Sequence, residues 1–188
     1  MCKKPIQHCA QQSRQNLAVR WRQTFFRHWI VLLLCLLAAP AWAQSSAAAL
    51  FAATLHQADD KPFAFEQLRG QALIVNFWAR WCVPCRTEIP ELAAAHERYA
   101  KRGLTIIGIA LDDNADAVRD FAKAYEMRYT SLLAKEGGIP LMQAIGNPKA
   151  VVPFTLIIDR HGNVIGHKLG AMRQADIDDA AKQLLGNP

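Results

Sequence analysis

The sequence predicts an α/β fold: a central mixed, mostly parallel sheet flanked by helices, with an N-terminal β-hairpin extension. Three observations predict it. Two near-continuous apolar runs rich in β-branched residues, 71–79 and 104–111, have the character of strands buried on both faces. Each is followed by a stretch of helical periodicity, the alternation that gives parallel strands with covered faces. The last part of the chain holds two apolar runs around a tight turn and then an amphipathic stretch, which adds an antiparallel edge and a closing helix.

Residues 1–43 stand apart from that domain. Residues 1–28 carry Lys3, Lys4, Arg14, Arg20, Arg22 and Arg27 and no acid. The apolar run 29–40 is short of the roughly 20 residues a membrane span needs. Ala41, Trp42 and Ala43 then place small residues where a signal peptidase reads. This is the pattern of a secretory signal peptide, with cleavage expected after Ala43. Uncleaved, the same segment would tether the chain to the membrane. Cys35 does not make a lipoprotein signal, because Leu34 stands before it where a small residue is needed.

Residues 44–49 read as a flexible lead-in, and the domain as 50–188. Runs 50–57 and 61–68 around Asp59, Asp60 and Pro62 form the expected hairpin. The strand 71–79 leads into a helix over 85–101, where Ile89, Leu92, Ala93, His96, Tyr99 and Ala100 share a side. After the strand 104–111, residues 112–114 offer an N-cap for a helix through about Tyr125. A short strand over 129–133 and a short helix over 138–145 follow. Runs 152–159 and 163–170 pair as a hairpin around 159–163, and a last helix ends at Gly186.

Loss of the leader changes the charge. The whole chain carries 22 Lys and Arg against 16 Asp and Glu. All six basic residues of the leader leave with it, so the mature domain is close to neutral and gives no sign of a nucleic-acid partner. Cys2, Cys9 and Cys35 leave too, so only Cys82 and Cys85 remain. A metal site, a structural disulfide and a redox pair are the candidate readings. A structural metal wants four ligands, and there is no second C-x-x-C. His56, His96, His161 and His167 are scattered singly. A four-residue loop gains little from cross-linking, and a core of this size does not need it.

The redox reading uses every local feature. Cys82 falls where a buried strand gives way to a helix, and a helix N-terminus stabilises a thiolate. Pro84 suits a first helical turn, where its missing N–H costs nothing. Cys85, one turn in, is placed to resolve a mixed disulfide formed at Cys82. Arg80 and Arg86 flank the pair and add positive potential.

The segment 75–92, "VNFWARWCVPCRTEIPEL", resembles the active-site segment of the thioredoxin superfamily, most closely the exported TlpA/ResA-type thiol–disulfide oxidoreductases, a group that includes cytochrome c maturation thioredoxins. The similarity runs from Leu68 to about Gly170. It implies a thioredoxin-like fold and a redox-active Cys82–Cys85 disulfide, with no cofactor and no metal. Val152 and Pro153 match the family's cis-proline position, beside which an incoming peptide pairs. Trp81, Val83 and Pro84 would contribute to the same substrate-binding surface, and Trp78 matches a second aromatic of the site. Pro90 matches a proline that kinks the active-site helix. Glu88 matches the group's glutamate and joins the catalytic set. At i+3 from Cys85 it could relay a proton to or from that thiol; otherwise it is an ordinary surface acid. Asn76 departs from the aspartate of ordinary thioredoxins, which leaves Glu88 as its substitute.

The resemblance implies a periplasmic reductant of specific client disulfides, in apocytochrome c or in copper-site assembly proteins. A membrane thiol transporter of the DsbD type would be the electron donor, and a monomer is the expected state. A general oxidant of the DsbA type would need a larger helical insertion than the roughly 50 residues before Pro153 leave room for. A copper-binding assembly protein would use C-x-x-x-C, one residue longer than the spacing here. A peroxiredoxin would carry Thr-x-x-Cys, which the chain lacks.

Overall fold

The computed structural model describes residues 47–112 and 114–186. The signal-peptide reading over 1–43 lies outside the described residues. Among the described residues, seven strands form one sheet in the order β2-β1-β5-β4-β3-β6-β7. They are β1 (Thr54–His56), β2 (Pro62–Ala64), β3 (Ala72–Trp78), β4 (Leu104–Ala110), β5 (Thr130–Leu133), β6 (Phe154–Ile158) and β7 (Val164–Leu169). Among the described residues, five α-helices accompany them: α1 (Ala48–Phe51), α2 (Val83–Tyr99), α3 (Ala115–Ala124), α4 (Gly138–Ala144) and α5 (Gln174–Leu185).

Parallel pairing is confined to the centre, where β3 pairs β4 and β4 pairs β5. The flanks are antiparallel: β6 on β3, β7 on β6, and β1 on β5. The N-terminal hairpin is therefore part of the main sheet, joined to it through His56 opposite Leu133. Pro62 falls in β2, the outermost strand, where a missing N–H does no harm to the ladder.

Both faces are covered, which explains the unbroken apolar runs. All seven residues of β3 are buried. Leu73, Val75 and Phe77 point to the side holding Leu50, Phe51, Phe65 and Met142. Ala72 and Ile74 face Leu92 and Ala95 of α2 and Ile177, Ala180 and Leu184 of α5. Trp78 continues that second face toward the cysteines, Ile89, and Val118 of α3.

Two segments differ from the sequence reading. Residues 48–51 form α1 rather than the end of a lead-in and the start of a strand, and Ala47 and Leu50 are fully buried. Alanine is the strongest helix former, and the run of alanines outweighs the strand-like content of Leu50 and Phe51. Residues Phe65–Leu68 form a 3₁₀ turn. Its i, i+3 spacing puts Phe65 and Leu68 on one inward side.

Helix α2 carries the site. Pro84 lies in its first turn and Pro90 inside it, where the lost hydrogen bond favours a bend. The helix runs into a 3₁₀ turn over Ala100–Arg102, ended by Gly103 at φ +92°, a conformation that glycine adopts without cost. Asn114 caps α3 by accepting from Ala117 N–H at 2.9 Å, as the sequence suggested.

Candidate functional site

The chain turns between β3 and α2, with Cys82 N–H donating to the Ala79 carbonyl at 3.1 Å. Cys82 becomes the N-cap of α2, and its Sγ accepts from Cys85 N–H at 3.2 Å. The two sulfurs form a disulfide, S–S 2.06 Å. Cys82 retains 4% of its surface and Cys85 none. The outer sulfur is thus the one a partner can reach, and it lies at the positive end of the helix, where a thiolate is favoured.

The approach to the pair is locked by Asp112, at the C-terminal end of β4. Its carboxylate accepts from Arg80 N–H at 3.0 Å and from Arg80 Nε at 2.9 Å. Arg86 Nε and Nη2 in turn donate to the Arg80 carbonyl at 3.1 and 2.7 Å. Arg80 is therefore charge-paired to a carboxylate that is only 7% exposed, a pairing that fixes the shape of the loop. Beside it lies an open groove of about 610 Å³, lined by Arg80, Trp81, Arg86, Asp112, Asp120 and Phe121 among others.

Behind Cys85 lies Glu88, fully buried rather than on the surface. Asn76 Nδ2 donates to its Oε1 at 2.7 Å, and Met172 N–H donates to its Oε2 at 2.9 Å. Asn76 Nδ2 also donates to Thr155 Oγ1 at 3.0 Å across the β3–β6 ladder. The next position in that row, on β4, is Gly108. A Cβ there would meet Trp78 Nε1 at 3.0 Å and Tyr129 Cε2 at 3.1 Å, so only glycine lets both rings fit over the sheet. Burial pushes the Glu88 carboxyl up to about 7. The Met172 and Asn76 hydrogen bonds and the Lys168 charge oppose this, because they favour the carboxylate. Burial, and after it the Glu88 charge, holds the Tyr129 phenol above its ordinary range.

Around the sulfurs, Trp81 and Val83 are exposed at 67% and 68%, and Val151 at 47%. Pro84 is exposed as well. Trp78 is buried and stacks on Phe121, centroids 5.0 Å apart. Val152 is half-buried against the cluster holding both cysteines, and the Val152–Pro153 bond is cis. The structure thus brings together Trp81, Cys82, Cys85, Glu88 and Val152. It leaves the histidines apart: among the described residues no group of three His, Cys, Asp or Glu side chains gathers to hold a metal. No helix among them is long and apolar enough to cross a membrane.

Sequence reasoning missed Asp112, Asn147, Thr155 and Met172. Asp112 carries a usable signal, since it follows the C-terminal end of a parallel strand, where functional groups collect. Asn147 is 2% exposed and pairs both amide atoms with the Val151 backbone, steadying the loop before Pro153. Met172 contributes a backbone amide, which no residue type announces.

Comparison with known proteins identifies the family. Residues 46–167 match the AhpC/TSA family. A curated relative, thiol-disulfide oxidoreductase ResA of Bacillus thuringiensis subsp. konkukian (strain 97-27), is 25% identical over 126 residues, 67% of this chain and 70% of its own. A thiol:disulfide interchange protein of the thioredoxin family from Chlorobium tepidum TLS is 34% identical, covering 71% of this chain and 93% of that one, with TM-score 0.61. MTB dsbF, solved in mixed oxidized and reduced forms, is 26% identical over 72% of this chain and 97% of its own, with TM-score 0.63. With most of the domain matched and a disulfide capping α2, the chain belongs to the AhpC/TSA family and is a thioredoxin-like thiol–disulfide oxidoreductase of the ResA type.

Proposed function

We propose that the protein works outside the cytoplasm, in the periplasm, as a reductant of disulfides in specific client proteins. The observation that carries this reading is the buried carboxylate of Glu88, one turn along α2 from the inner sulfur of the pair. In the reduced protein the Cys82 thiolate attacks a client disulfide. A mixed disulfide forms between Cys82 and one client sulfur, and the other client sulfur leaves as a thiolate. Cys85 then gives its proton to the Glu88 carboxylate and attacks Cys82 Sγ. The Cys82–Cys85 disulfide forms and the second client thiolate departs, so the client gains two electrons and the protein loses them. Re-reduction reverses the traffic. A donor thiolate attacks Cys82, and Cys85 leaves and takes the proton back from Glu88. A carboxyl poised near 7 can run the transfer both ways near neutral pH.

Trp81 and Val83 give the client apolar contact, with Pro84 beside them, and Val152 and Pro153 offer backbone across the cleft. The clients this surface suits are apocytochrome c or copper-site proteins, with their reactive cysteines exposed, and a membrane thiol transporter of the DsbD type returns the electrons. Among the described residues, α3, β5, a 3₁₀ turn over Lys135–Gly137 and α4 lie between β4 and Pro153, which supports this reading over a general oxidant with an inserted helical domain. The C-x-x-C spacing and the scattered histidines favour it over copper binding.

The test uses an oxidised C-x-x-C-H peptide as a defined client. Wild-type protein should turn it over with a dithiol supply, and Cys82→Ser should abolish the reaction. Cys85→Ser should stop after one attack, with the peptide disulfide-bonded to Cys82 in the mass spectrum. Full turnover by Cys85→Ser would contradict the two-cysteine mechanism.

A further inference from the structure

Two backbone amides of one short segment reach two separate parts of the site. After β7 ends at Leu169, Gly170 N–H donates to the Pro153 carbonyl at 2.9 Å. Two residues on, Met172 N–H donates to Glu88 Oε2 at 2.9 Å. Gly170 turns the chain between them at φ +89°, with no heavy atom within 4 Å of where a Cβ would stand, so the backbone turn and not crowding calls for glycine. The far end is fixed as well. The Met172 side chain is buried under α5, and Arg173 N–H donates to Asp176, which also takes Lys168 Nζ. A segment pinned this way has little slack, so a change in pull at Met172 is passed to Gly170.

We propose that residues 170–172 are a positioning link that ties the charge on Glu88 to the Val152–Pro153 loop, so that proton transfer at Cys85 changes how firmly a client is held there. The inference rests on the proton-partner role given to Glu88 above. A hydrogen bond from an amide to a carboxylate is roughly twice as strong as one to a neutral acid. Charged Glu88 draws Met172 in and holds Gly170 on Pro153. When Cys85 hands over its proton, that pull weakens at the step in which the client leaves. The coupling is reciprocal, so a client on the loop shifts the proton affinity of Glu88 in return.

Several titratable or charged groups face Glu88. Cys85 comes from its own helix, Lys168 from β7 and Tyr129 from the segment before β5, with Asp176 of α5 behind Lys168. From β3 and β6 come the neutral Asn76 and Thr155. In the oxidised protein neither cysteine titrates, which isolates Glu88. The experiment follows backbone amide shifts of the oxidised protein from about pH 5 to about pH 9 by ¹H–¹⁵N NMR. Met172, Gly170 and Val152 should move together with one midpoint near 7, and Glu88→Gln should remove the transition from all three. Lys168→Met removes a cation that favours the carboxylate, so it should raise the midpoint equally at all three. If Met172 moves while Gly170 and Val152 stay still, the coupling is wrong and the proton-partner role stands. If no amide moves near neutral pH, Glu88 does not titrate there and both fall. A transition that survives Glu88→Gln does not come from Glu88 and also overturns the link.

Discussion

Glu88 sets a pH dependence on the fold as well as on the chemistry. Its carboxyl stands at about 7 in the folded chain against an ordinary 4.5. Between those values the folded protein holds a proton that the unfolded chain has released. The contribution of Glu88 to stability is therefore fully present below about 4.5 and is lost as the pH rises through about 7, by on the order of 3 kcal/mol in all. Glu88→Gln keeps the shape and removes the charge. Urea unfolding at about pH 5 and about pH 8 should show the variant gaining on wild type by roughly that amount at the higher pH, while parallel behaviour of the two would contradict the burial argument. The family resemblance and the i+3 spacing from Cys85 singled Glu88 out in the sequence, and the structure adds that it is buried and hydrogen-bonded to Asn76. Its two hydrogen-bond partners were less legible. Asn76 was singled out only as a departure, and the Met172 amide carries no mark in the residue type.

At the scale of the element, the loop from β3 to α2 depends on the strand beside it. Asp112 holds both the backbone and the side chain of Arg80. Asp112→Ala would leave Arg80 N–H without that partner and free the Trp81 segment. The expected cost is about 1–3 kcal/mol, read as a lower urea midpoint, with slower attack by a client peptide. An unchanged midpoint and rate would show that the loop holds itself. The strands and helices of the domain were mostly legible, because burial on both faces writes continuous apolar runs and the caps and turns use their usual residues. The exceptions at 48–51 and 65–68 have a common cause. Both are four residues long, too short for periodicity to separate a helical turn from a strand, and packing onto the sheet decided them.

On the scale of the whole molecule, the alternation of elements predicted a sheet covered on both faces, and the chain has one. The antiparallel flanks were less visible, since strand order depends on contacts far apart in sequence. The order nevertheless explains the site: β3 lies centrally, between β4 and β6, so Cys82, Asp112 and the Val152–Pro153 loop converge at one end of the sheet. The direction of electron flow is a property of this whole assembly. The measurement that tests it most directly is the reduction potential of the Cys82–Cys85 pair, equilibrated in glutathione or dithiothreitol buffers and read from Trp78 and Trp81 fluorescence. A value near or below about −220 mV, toward the thioredoxin end of the scale, is what a reductant of client disulfides requires, and a value near about −120 mV would make the protein an oxidant and contradict that role.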